Sequence, residues 1–99
     1  MKRDEFLSTA GELISGQRHA DYGSAADNFA RIAEGWQIIL DNSKDAHGQI
    51  HLTEMHVALM MDWLKTARLL NKLDDKDGWL DKIGYSALGG EIATRYEDV

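Results

Sequence analysis

The chain has 99 residues, 43% of them apolar and 28% charged, with a formal net charge of −6 and no cysteine. That supplies one core but not two, and it excludes a disulfide framework, a thiolate metal site and a cysteine nucleophile. The acidic balance disfavours direct DNA binding, which relies on clustered Lys and Arg, and no apolar run approaches the roughly 20 residues that span a bilayer, so no membrane contact is expected.

The opening run MKRDEFLSTAGELI carries carboxylates where a signal peptide needs an unbroken apolar core, which points to a cytoplasmic chain. Phe6, Leu7, Ala10, Leu13 and Ile14 recur on one side of a helix expected over about residues 4–15, with Gly16 as its stop. The run RHADYGSAADNF (residues 18–29) then places a cation, an imidazole, a carboxylate and a phenol immediately before a second helix start. Ser24 is the expected N-cap, with Asp27 three residues on as a weak capping-box partner. Phe29, Ile32, Ala33, Trp36, Ile39 and Leu40 form the core stripe of that helix.

DNSKDAHGQIHL (residues 41–52) reads as a polar loop, and Thr53 caps a third helix over about residues 54–73. That helix is apolar on more than one side, through Val57, Leu59, Met60, Met61, Trp63, Leu64, Leu69 and Leu70, as a central helix or one facing a second chain is. DDKDG is a turn, and a fourth helix is expected over about residues 77–96. Strand-like alternation, proline and internal repeats are absent. The expected fold is one all-α domain over residues 1–99, a compact four-helix bundle that forms a homo-oligomer.

At about 100° per residue, Asp77, Asp81, Gly84, Leu88 and Ile92 share one face of the fourth helix, with Tyr85 at its edge. Glu54, Asp62 and Lys65 lie along one flank of the third, and Arg68 continues its core stripe. An antiparallel pairing of the two helices brings Lys65 and Arg68 near Asp77 and Asp81. Two readings follow. Either the charges satisfy one another as internal salt bridges, or the carboxylates hold Mg²⁺ while the cations face a phosphate chain. The run before the second helix is likewise either a polar, capped connection or one wall of an anion pocket at a helix N-terminus. His47, His51 and His56 read as surface residues, and the three tryptophans as core or intersubunit packing.

The assembled pattern is R-x-x-x-Y-G (Arg18, Tyr22, Gly23), N-F-x-x-I-A (Asn28 to Ala33) with Trp36, then V-A-L-M-M-x-x-L-K-x-A-R-L (Val57 to Leu69) and D-x-x-G-Y (Asp81, Gly84, Tyr85). Over about residues 13–92 it resembles a family of small phage and prophage proteins of unassigned function. More distantly it resembles nucleotide-modification-associated domain one and the all-α, MazG-like nucleoside triphosphate pyrophosphohydrolases. The resemblance implies a nucleotide-binding helical oligomer in a bacterial host, with Mg²⁺-dependent release of pyrophosphate as its enzymatic form. It implies Asp77, Asp81, Glu54 and Asp62 as metal ligands, with Asp77, Asp81 and Lys65 as the catalytic set. Arg18, Asp21, Tyr22, Asn28, Arg68 and Tyr85 would contact the nucleotide or another phosphorylated small molecule. The sequence contains neither the E-x-x-E nor the E-x-x-D pair of the enzyme group. The alternative is a noncatalytic accessory protein that binds a host protein or sequesters a signalling nucleotide.

Overall fold

Four α-helices make up the regular structure of the computed structural model, which describes residues 1–16 and 23–97: α1 (Arg3–Ser15), α2 (Ala25–Asp41), α3 (Glu54–Leu69) and α4 (Lys76–Ala93). The all-α, four-helix fold expected from the 3.6-residue spacing is the one found. Local chemistry sets the ends. Asp4 and Glu5 stand in the first turn of α1, where the helix dipole favours carboxylates. The Ser24 hydroxyl accepts from the Asp27 backbone N–H at 3.4 Å and starts α2. At the start of α3 the Thr53 backbone N–H donates to Nδ1 of His56 at 3.0 Å, so an imidazole does what a Glu or Gln does in the usual capping box. His56 is therefore a helix-start residue as well as a surface one.

Two boundaries differ from expectation. Helix α3 stops at Leu69 because Leu70 to Asp75 turn, through bonds such as Lys72 N–H to Leu69 C=O. Helix α4 begins at Lys76 and runs through Gly89 and Gly90 without a break, ending at Ala93.

Helix α3 is central, packed antiparallel on α2 along one side and on α4 along the other. Glycine permits the close approach on both sides. A Cβ at Gly35 of α2 would lie 1.9 Å from the Trp63 ring, and one at Gly89 of α4 would lie 2.8 Å from the Ala58 Cβ. The two tryptophans of the α2–α3 contact exchange donors. Trp63 Nε1 donates to the Arg31 carbonyl at 2.9 Å, and Trp36 Nε1 to the Met60 carbonyl at 2.8 Å. Each indole thereby buries its ring while its one polar atom stays satisfied.

The face of α4 that meets α3 is turned by one residue, about 100°, from the expected one. Gly78, Lys82, Tyr85 and Gly89 face α3, whereas Gly84 has open space beside it and Leu88 is exposed. The expectation followed Leu88 and Ile92 as core residues. The fold instead uses small residues at 78 and 89 to bring the backbones together, leaving Leu80, Ile83 and Leu88 outside.

Few side chains are buried in the single chain. Among the described residues the buried apolar ones are Ile32, Ala67 and Leu69, while Phe6, Leu7, Phe29, Ile38, Val57 and Ile83 stay more than half exposed. Helix α1 has no buried residue.

Candidate functional site

The start of α2 lies against the end of α3. Arg31 Nη1 donates to the Ala67 carbonyl at 3.0 Å, and one turn earlier Asn28 is 3% exposed. Its Oδ1 has no hydrogen-bond partner among the described residues. A buried amide oxygen left without a donor is costly, and native proteins rarely retain one without a use for it. Where the chain enters this corner, Gly23 has φ +71°, and a Cβ there would lie 2.7 Å from Oδ1 of Asn71. A side chain at position 23 would meet both a backbone penalty and a steric one. Arg31, Arg68 and Lys72 are half-buried at the same end of the α2–α3 pair. An acidic protein thus carries three cations at the end of the helix pair that holds one buried amide. Arg18, Asp21 and Tyr22, the other residues assigned to this end from sequence, lie outside the described residues.

The second candidate region is the α3–α4 seam. Lys65 Nζ lies 2.9 Å from Oδ2 of Asp81, and Lys82 Nζ lies 2.9 Å from Oδ1 of Asp62. Lys82 Nζ also donates to the Thr66 hydroxyl. Each helix contributes one acid and one base, so a single antiparallel register neutralises all four. Of the two readings of these charges, the coordinates contain the mutual ion pairs.

The four proposed metal ligands are not brought together. Glu54 opens α3 and Asp77 opens α4. Because the helices run antiparallel, these two sit at opposite ends of the seam, about 20 Å apart by helical rise. Asp62 and Asp81 lie between them, each facing a lysine. Among the described residues no three His, Asp or Glu side chains are placed to share a metal ion. Asp77 is exposed and lies one residue off the face that meets α3. The correction to the expected Asp77–Asp81–Lys65 grouping is therefore that Lys65 and Asp81 meet and Asp77 does not join them.

Tyr85 is also separated from the Asn28 end. It lines an open groove of about 280 Å³ between the first half of α3 and the second half of α4, with Met55, Ala58, Leu59, Asp62 and Gly89.

The loop before α3 is held by Asp45. Its Oδ1 accepts from the backbone N–H groups of His47 at 2.8 Å and Gln49 at 3.0 Å, and Oδ2 lies 2.8 Å from Nε2 of His51. The bonds from Gln49 and His47, with His51 adding to them, hold the Asp45 carboxyl below its ordinary range. The His47 backbone and the His51 ring thus order a loop around a carboxylate.

Sequence reasoning missed Arg31, Gly35 and Lys82, and placed Asn71 only as a polar continuation, with Arg68, of the core stripe of the third helix. The first two carried a readable signal: Arg31, Gly35 and Ile38 lie beside the apolar stripe of α2, and a glycine in mid-helix costs about 0.5–1 kcal/mol unless packing requires it. Lys82 carried none, since a surface lysine is ordinary.

A small helical domain with a polar, cation-flanked corner and no recognisable catalytic constellation among its described residues is the class this geometry defines. Residues 5–93 match the model of a domain of unknown function, DUF6378, and the chain belongs to that family. It is also similar to the Gene 55 protein of Mycobacterium phage L5, with 37% identity over 82 residues, covering 83% of this chain and 48% of that protein. The chain therefore spans about half the length of the curated relative it matches. No solved structure matches it. The resemblance to small phage proteins of unassigned function is thereby supported. No helix among the described residues is long and apolar enough to cross a membrane.

Proposed function

We propose that this is a phage-derived nucleotide-binding protein whose site lies where the start of α2 meets the end of α3. The observation that carries the reading is the buried Asn28 amide, whose Oδ1 lacks a donor among the described residues, at the end of the α2–α3 pair that also carries the half-buried cations Arg31, Arg68 and Lys72. Such an oxygen suits a base amino group, a ring N–H or a sugar hydroxyl, and the guanidinium groups suit phosphate oxygens. Arg18, Asp21 and Tyr22 precede this corner in sequence and complete the proposed contact set.

Binding without turnover is favoured over hydrolysis. The lysine partners of Asp62 and Asp81 occupy the carboxylates that a MazG-like, Mg²⁺-dependent pyrophosphohydrolase would need free. A protein that sequesters a nucleotide, or presents it to a host protein, fits that pairing.

The test is calorimetric titration with nucleoside mono- and triphosphates, with and without Mg²⁺, alongside an assay for released pyrophosphate. Binding that needs no metal and is abolished by Asn28→Leu supports the reading. Pyrophosphate release that depends on Asp81 restores the hydrolase. No binding by any nucleotide in the series overturns the proposal.

A further inference from the structure

A folded chain of 11.1 kDa exposes about 5,700 Å² by the usual scaling of surface with mass. This chain exposes 7536 Å². Its Cα radius of gyration, 16.7 Å, likewise exceeds the roughly 13 Å typical of a domain of this length. The surplus surface is near 1,900 Å² per chain, and two chains that each buried it would share an interface well inside the 2,000–5,000 Å² range of obligate homodimers.

Two apolar surfaces contribute to it. Phe29, Ile32, Ala33, Trp36 and Leu64 line a groove of about 330 Å³ on the open side of the α2–α3 pair, without one charged group among them. Phe29 stands 65% exposed at its rim, and Trp36 is anchored by its bond to Met60. Aromatic anchors around an apolar hollow are the usual composition of an interface centre once a partner closes it. Helix α1 supplies a matching surface. Phe6, Leu7, Leu13 and Ile14 lie along one side, all exposed, and no α1 residue lines the groove.

We infer that a second copy of this chain closes the Phe29–Trp36 groove, with the α1 stripes of both protomers completing a twofold interface. A fold-back of α1 into the groove within one chain would bury the same two stripes, and a monomeric wild-type protein is the result that distinguishes it from the dimer. Shared between two copies, the surplus area matches what a stable homodimer buries, and a twofold contact pairs the same apolar patch on each chain. This inference does not rest on the nucleotide proposal: both use the start of α2, but Asn28 is buried and Arg31 bonds the α3 backbone, whereas Phe29 stands exposed at the groove.

Sedimentation equilibrium of the full chain at micromolar concentration gives twice the 11.1 kDa chain mass on this reading. The melting temperature rises with protein concentration, because association stabilises only the folded form. Phe29→Asp and, separately, Leu7→Asp weaken association at least about tenfold, while Ile83→Asp on α4 leaves it intact. If the aspartate variants fail to fold, the concentration dependence of wild-type melting still decides. A wild-type monomer with concentration-independent melting overturns the inference. So does a dimer that withstands Phe29→Asp and Leu7→Asp but dissociates with Ile83→Asp.

Discussion

Replacing Asn28 with leucine should make the ligand-free protein more stable. Asn28 is 3% exposed and its Oδ1 lacks a donor among the described residues, so the native side chain carries a desolvation penalty of about 1–3 kcal/mol. Leucine removes that penalty and adds roughly 0.5 kcal/mol of helix propensity. Its larger volume returns up to about 1 kcal/mol as crowding. The net expectation is a gain of about 1–2 kcal/mol, equivalent to a rise of roughly 5–10 °C in Tm for a domain of this size. Urea unfolding followed by circular dichroism at one fixed protein concentration measures it, with Asn28→Ala as a companion free of added volume. A loss of about 1 kcal/mol or more in both variants would mean that Oδ1 accepts a bond in the native protein, and the reasoning fails. The same variants should lose nucleotide binding, the trade-off expected where a side chain is kept for a ligand rather than for the fold.

Three further outcomes follow from the packing. Gly35→Ala should cost roughly 2–3 kcal/mol and shift Trp63 fluorescence, because its Cβ would lie 1.9 Å from the indole ring; a cost below about 0.5 kcal/mol would mean that the helices separate freely. Asp81→Asn should cost less than about 1 kcal/mol, since that carboxylate is half exposed, whereas Asp62→Asn should cost about 1–2 kcal/mol, since Asp62 is the more buried of the two carboxylates. Equal losses in chemical unfolding would refute that ordering. The Asp45 carboxyl is held below its ordinary value of 3.8, so its contribution is fully present above that pH and is lost as pH falls through the lower folded value. Hydrogen exchange at the His47 and Gln49 amides should therefore accelerate below about pH 3.8 relative to the rest of the chain, and uniform protection down to about pH 2 would contradict it.

The helices were legible because each carries its own start signal and stripe. Ser24 caps α2 and Thr53 starts α3, as their positions before apolar runs imply. The rotation of α4 was not legible, because its apolar residues are spread around the helix and the choice of face fell to glycines 78 and 89. Lys65 and Asp81 could be paired from an antiparallel hairpin alone. The Asp62–Lys82 pair could not, since it depends on that same rotation. Asn28 was singled out through family likeness, but its unmet oxygen is a property of three-dimensional burial that no string of letters carries.

The tryptophan exchange between α2 and α3 gives the molecule an uneven mechanical character. An indole N–H keeps its proton throughout the accessible pH range and is indifferent to added salt, whereas the carboxylate–lysine contacts between α3 and α4 weaken under acid or high ionic strength. Acid or high salt should therefore weaken the α3–α4 seam while leaving the tryptophan bonds of the α2–α3 seam unchanged.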